Sequence, residues 1–226
     1  MDWRDFARQM ATMARDLLAQ PSVDATLERI TESATELVDG CDAAGVLILR
    51  DRHVETLAPT AQVVIDSDQL QERLQEGPCF DAARESERVF RIADFATQQR
   101  WPAYVPPARE LGLGSMMGFL LYTQEEELGA LNLYSYRPNA FTEDSETVGW
   151  LMASHAAVAL SSARNQDQME QALATRHTIG AAMGILMGRH HLTEHEAFDV
   201  LRRYSQEKNV KLREVARQVC ETGDVP

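Results

Sequence analysis

Lysine is almost missing from this chain. Of 22 basic residues only Lys208 and Lys211 are lysines, and both lie near the carboxyl end. Acidic residues number 35, giving a net charge of -13, which excludes a protein that grips nucleic acid over its whole surface. Cysteine is scarce as well. Cys41, Cys79 and Cys220 are odd in number and form no CxxC pair, which argues against a disulfide scaffold or a zinc cluster and favours a reducing compartment, the cytoplasm. There is no run of eighteen apolar residues, so nothing reads as a membrane span. The opening MDWRDFARQM places acids where a secretory signal keeps an apolar core.

What remains is ordinary globular composition, 44% hydrophobic and 25% charged over 226 residues, enough for one large or two modest domains. Charge divides the chain. Residues 165–226 hold 8 basic and 9 acidic side chains, whereas residues 1–164 hold 14 and 26. An acidic body therefore carries a nearly neutral tail with local basic clusters.

Trp3, Phe6, Met10, Met13 and Leu17 repeat at steps of 3 and 4, the pattern of a helix pairing with another helix. Ser22 is suited to cap a second helix with Val23, Leu27, Ile30, Ala34 and Leu37 on one face, stopped at Gly40. Residues 43–51 form an apolar run that reads as a buried strand with a hairpin partner at 53–57. A helix is expected over 66–76 and a strand over 88–92. Residues 97–115, rich in Pro and Gly, read as a loop or a broken helix. Strands at 116–122 and 128–136 follow, joined by an acidic turn at 124–127. From Thr142, an N-cap backed by Glu143 and Asp144, a long helix is expected to run from about 143 to 187, with a break near Asn165–Asp167 as the alternative. The expected fold is α+β: an antiparallel sheet flanked by helices, then an all-α three-helix bundle.

The tail carries a capping box, Thr193 with Glu196. Ala197, Val200, Leu201 and Tyr204 make the inner face of its second helix, and Leu212, Val215, Ala216 and Val219 that of its third. In its first helix Gly180, Gly184 and Gly188 recur at steps of four. Helix-interior glycines cost about 1 kcal/mol each against alanine, so something must approach the backbone there: another helix of the bundle, or RNA. Gly188 also suits a helix stop.

The segment TRHTIGAAMGILMGRHHLTEHEAFDVLRRYSQEKNVKLREVA, residues 175–216, resembles the ANTAR domain of bacterial transcription antitermination regulators. That resemblance implies RNA binding, with an ANTAR dimer holding a paired-hairpin form of a leader transcript so that no terminator forms. Met183 departs from the family, where lysine or glutamine is common at that position. The segments EGPCFDAARESERVFRIADF (76–95), RWPAY (100–104) and LGALNLYSYRPNAFTEDS (128–145) are similar to those of GAF domains in GAF–ANTAR proteins. A GAF domain implies a sensor holding a small ligand between its sheet and the loop around 77–115. The expected division is a GAF sensor at 1–164 and an ANTAR RNA-binding domain at 165–226, joined by the long helix.

Candidate RNA contacts are Arg176, His177, Arg189, Arg202, Arg203, Lys208, Lys211, Arg213 and Arg217, with Gly180 and Gly184 as close-approach positions. Cys79 is a candidate redox thiol, or the nucleophile of a GAF-type methionine sulfoxide reductase with Cys41 as resolving thiol, against an inert buried cysteine. His190, His191 and His195 lack carboxylates or thiols at ligand spacing, so no metal is expected. No catalytic constellation assembles, so the expectation is a non-enzyme: a cytoplasmic, signal-responsive antiterminator with RNA and an unidentified small molecule as partners. Apolar seams at residues 3–17 and in the long helix point to a homodimer. A DNA-binding helix-turn-helix regulator is the alternative.

Overall fold

The computed structural model describes residues 3–50, 53–85, 89–123 and 127–225. It divides into two compact units, residues 1–164 and 165–226. The strands are β1 (Ala43–Arg50), β2 (His53–Leu57), β3 (Val89–Ile92), β4 (Ser115–Tyr122) and β5 (Glu127–Ser135). The helices are α1 (Trp3–Leu18), α2 (Val23–Leu37), α3 (Gln62–Leu74), α4 (Pro78–Glu85), α5 (Val105–Glu110), α6 (Glu143–His190), α7 (Glu194–Lys208) and α8 (Leu212–Thr222).

In the first unit the strands form one sheet in the order β2-β1-β5-β4-β3, antiparallel at every pairing. Both faces are covered. Leu131 and Leu133 of β5 join Met117, Phe119 and Leu121 of β4 in a core with α1, α2 and the first part of α6. The alternate residues Tyr134 and Met116 turn to a second core with α3, α4 and α5. That two-sided burial is why β4 is apolar at nearly every position rather than alternating. At Gly118 a Cβ would lie 2.1 Å from the Phe90 ring, so only glycine lets that ring cross the strand.

Several expectations need correction. The seam of α1 does not await a partner molecule: Phe6, Met10, Met13 and Leu17 are buried within their own unit, because the sheet face beneath them needs a cover. Trp3's side chain lies outside the described set. Helix α3 begins at Gln62, ahead of 66, since Val63 and Val64 pack on the sheet. Residues 78–85 are helical: Gly77, at φ +144, reverses the chain and Pro78 opens the next helix. Within the expected loop, Val105–Glu110 forms a short helix with proline in its first turn. The expected strand start at Arg88 and most of the turn at 124–127 lie outside the described residues.

The loop is pinned by two acids. Glu76 accepts the backbone N–H of Ala103 (2.7 Å) and of Tyr104 (3.2 Å). Asp81 accepts from Trp101 Nε1 (2.7 Å) and pairs with Arg100 (3.0 Å), whose guanidinium lies 4.7 Å from the Trp101 ring centroid.

Candidate functional site

The second unit is built from the last part of α6 with α7 and α8. Ala182, Leu186, Ala197, Leu201, Val215, Ala216 and Val219 form its core. The capping box opens α7 as its sequence requires: Thr193 Oγ1 accepts the Glu196 N–H at 3.4 Å, and Glu196 accepts the Thr193 N–H at 2.8 Å. The backbone bond from Thr193 holds the Glu196 carboxyl below its ordinary pKa. Asn209, at φ 52, ends α7 in the left-handed conformation.

Helix α6 runs to His190, past Gly188, and His191 makes the left-handed turn at φ 57. Gly188 is therefore not the stop. Nor do the glycines pack inside the bundle: a Cβ at Gly180, Gly184 or Gly188 would meet nothing within 4 Å. The core lies on the Ala182–Leu186 face, and the glycine row points to open space. Gly180 and Gly184 floor a groove of about 820 Å³, walled by Ile179, Met183 and Met187 of α6 and by His195 and Phe198 of α7, with Arg176 and Glu194 also lining it. A shallower groove of about 550 Å³ also involves Arg176 and Phe198 and adds Gln168, Gln171 and Thr175. Phe198 was not among the sequence candidates. Its signal was present: it is the one large aromatic of α7 that the inner stripe of Ala197, Val200, Leu201 and Tyr204 leaves aside.

The nine cationic candidates separate into two groups. Arg189 donates to the Gly223 carbonyl (3.1 Å) and pairs with Asp224 (3.6 Å), while His190 bonds the same carboxylate (3.1 Å). They clasp the end of α6 to the chain after α8. Arg202 pairs with Asp199 (2.8 Å), Arg217 with Glu214 (3.1 Å) and Arg213 with Glu214 (3.6 Å). The side chains of Arg176, His177, Arg203, Lys208 and Lys211 are exposed and, among the described residues, make no hydrogen bond or ion pair. Lys211 is the N-cap of α8, where a cation opposes the helix dipole, so helix stability does not account for it. On α7, Arg202 lies one turn beyond Phe198 and seven residues beyond His195, on the groove side. Arg203, two residues past buried Leu201, lies on the outer side.

In the first unit Cys79 is 3% exposed, and burial pushes its thiol up to about 12. Cys41 is also pushed up to about 12, chiefly by burial. Cys41 packs in the core against α1 and α2, Cys79 in the core on the opposite face of the sheet. A disulfide between them would have to pass through the sheet, and a thiol so far from ionisation is a poor nucleophile. The separation across the sheet and the burial of both thiols count against the reductase reading, which needs Cys41 to resolve Cys79.

Cys79 sits in a buried polar set that sequence pattern did not reveal. Asp68, 1% exposed, accepts from Thr56 Oγ1 (2.8 Å) and Tyr134 Oη (3.0 Å) and has no cationic partner among the described residues. Burial raises its pKa to about 7. Ser67 and Tyr104 share a hydrogen bond of 2.8 Å between their hydroxyls. The polar Asn132 and Tyr134 within the apolar run of β5 were the available signal. Asp68 gave none, because in a helix that also carries Asp66, Glu72 and Arg73 it reads as one more surface charge. Among the described residues no cluster of His, Cys, Asp and Glu could hold a metal ion, and no helix is long and apolar enough to cross a membrane.

Comparison with known proteins bears on both units. A GAF-domain family model matches residues 20–161, and an ANTAR-domain model matches residues 167–219. A search of curated proteins finds no match. Among solved structures, the GAF domain of a phosphoenolpyruvate-protein phosphotransferase from Coxiella burnetii is 20% identical with a TM-score of 0.57, covering 74% of this chain and 99% of that one. The corresponding Acinetobacter domain is 12% identical with a TM-score of 0.54, covering 72% and 97%. The chromophore-binding domain of a bacteriophytochrome from R. palustris is 11% identical with a TM-score of 0.59. The match covers 74% of this chain and 64% of that domain, and of a longer chain of the phytochrome only 43%. At these identities the likeness establishes the fold.

Proposed function

Because this chain belongs to the GAF family and carries an ANTAR domain, an RNA-binding antitermination module, behind its signal-sensing module, we propose that it is an antiterminator that binds paired hairpins in leader transcripts. In this reading residues 1–164 sense, residues 165–226 bind RNA, and α6 joins them. The protein is a regulator and not an enzyme. The observation that carries the reading is the groove over Gly180 and Gly184. Its floor lets a nucleic-acid backbone come close, Phe198 offers a stacking face for a splayed loop base, and Arg176 lines it for phosphate, with Arg202, one turn beyond Phe198, able to exchange Asp199 for a phosphate. Arg203, Lys208 and Lys211 supply further phosphate contacts, while Arg189 acts through the clasp. Substituting Arg202→Ala and Arg203→Ala together is expected to weaken hairpin binding about tenfold or more and to lower the salt slope by about two. An unchanged gel-shift affinity and slope would remove both residues from the interface.

The acting species in this reading is a homodimer with α6 helices paired in parallel. Four large apolar side chains of α6 are left to solvent: Leu151 (39%) and Val158 (58%) in the first unit, Met169 (68%) and Leu173 (60%) in the second. The first two are seven residues apart and the last two four, as a seam requires. Met169→Glu with Leu173→Glu is expected to shift the protein from dimer to monomer in sedimentation velocity. A parent that sediments as a monomer at micromolar concentration would refute the pairing. The signal acts by shifting that pairing and so reorienting the tails; equal hairpin affinity with and without it would exclude the coupling.

A further inference from the structure

On α7 one carboxylate is shared by two basic side chains. Asp199 holds Arg202 Nη2 on Oδ1 at 2.8 Å and His195 Nε2 on Oδ2 at 3.4 Å. The three residues stand at steps of four and three, so they share one face of the helix with Phe198. They differ in what they line. His195 is a wall of the groove over Gly180 and Gly184, whereas Asp199 and Arg202 stand beside it. His195 is not one of the nine cationic candidates, yet it is the imidazole that the groove contains.

The charges around it are nearly balanced. Arg176 from α6 and Glu194 from α7 are the other charged side chains that line the groove, and Arg202 and Asp199 follow on the same face of α7. His177 and His191 do not line it. Two cations therefore face two anions, and the protonation of His195 decides the sign of the face. Imidazole is the side chain that ordinarily changes charge close to neutral pH.

RNA upsets this balance in one direction. An exposed ion pair holds its partners weakly, so a phosphate can draw Arg202 away from Asp199. Asp199 is then left with His195 alone, and the phosphate adds a further negative charge nearby. Both changes favour imidazolium over imidazole, because a neighbouring charge of opposite sign stabilises the charged form. In the neutral ring the nitrogen that Asp199 does not hold, Nδ1, can only accept. Once protonated it donates, to a phosphate or a base edge.

We propose that RNA binding by the tail is linked to uptake of a proton at His195. The proton comes from solvent and goes to the ring as Arg202 exchanges its carboxylate for phosphate. This rests on the reading of the groove as the RNA site, and it adds a residue and a pH dependence to that site. Calorimetric titration of the intact protein with a synthetic RNA of two stem-loops, at pH 7 in two buffers of different ionisation enthalpy, measures the protons taken up. Uptake of about half a proton or more per tail is expected, and with it an affinity that falls about fivefold from pH 6 to pH 8 at constant salt. His195→Gln is expected to remove most of both effects and to leave the tail folded, since that side chain is 87% exposed. Asp199→Asn is expected to reduce the uptake, and His177→Gln to leave it unchanged. Binding without uptake, uptake unchanged in the His195 or the Asp199 variant, or uptake lost with His177 instead overturns this inference and leaves the RNA reading standing. No binding of the RNA at any pH overturns both.

Discussion

Gly184→Leu is expected to lower affinity for a leader hairpin by at least about tenfold, roughly 1.4 kcal/mol, while leaving the tail folded. The two halves of that expectation come from one fact: a Cβ at Gly184 meets nothing within 4 Å. A larger side chain therefore displaces no part of the bundle, whose core lies on the Ala182–Leu186 face. Removing a helix-interior glycine should stabilise α6 by somewhat less than 1 kcal/mol. The new side chain projects into the groove between Met183 and Phe198 and blocks what the glycine admits. Gly184→Ala is the graded control, with the same gain in helix stability and a smaller steric block. Thermal unfolding and fluorescence anisotropy on the same samples check both halves. Retained affinity in the leucine variant would show that the groove is not where RNA sits. Lost stability would show that the glycine row packs against another protein surface.

The second large effect concerns Asp68. Its pKa is raised to about 7 in the folded protein, mainly by burial, with the Thr56 and Tyr134 hydrogen bonds pulling it down in part. In the unfolded chain it titrates near 3.8. The folded state thus holds its proton more tightly. Below about pH 4 the residue is protonated in both states and imposes no penalty. As pH rises towards 7 the unfolded chain gains stability by ionising, and folding is progressively disfavoured. Above 7 the penalty levels off, on the order of 4 kcal/mol as an upper figure. The neighbouring ionisable groups Cys79, Tyr104 and Tyr134 are all pushed up and stay neutral through this window. Asp68→Asn should accordingly raise the melting temperature at pH 8, change it little near pH 4, and flatten the pH dependence between. A parent whose stability does not fall from pH 5 to pH 8 relative to that variant would contradict the assignment.

The parts of the fold legible in the sequence were those set by local rules. Thr193 and Glu196 announce a capping box, Asn209 a helix end, and the apolar strands a two-sided sheet, each within a few residues of where the structure has them. The GAF resemblance rested on segments 76–95, 100–104 and 128–145, the first two of them close in space. The structure shows why they travel together: Glu76 and Asp81 of the first hold the backbone and Trp101 of the second. What stayed hidden was tertiary. The spacing of Gly180, Gly184 and Gly188 signals a close approach without saying on which side of the helix the bundle lies. The α1 seam has the same spacing whether it packs on its own sheet or on another molecule. Nine cations looked alike until Asp199, Glu214 and Asp224 were seen to neutralise some of them. Asp68 and Tyr134 converge from a helix and a strand 66 residues apart, and no local pattern marks that meeting.

The most direct measurement of the central claim is equilibrium binding of the intact protein to a paired leader hairpin and to a duplex DNA of equal charge, at the same ionic strength. A tail that reads folded RNA predicts saturable hairpin binding with a clear salt slope, and much weaker binding of the duplex, which offers no splayed loop base to the groove beside Phe198. Equal or tighter binding of duplex DNA, or no binding of any hairpin in dilute buffer, would contradict it.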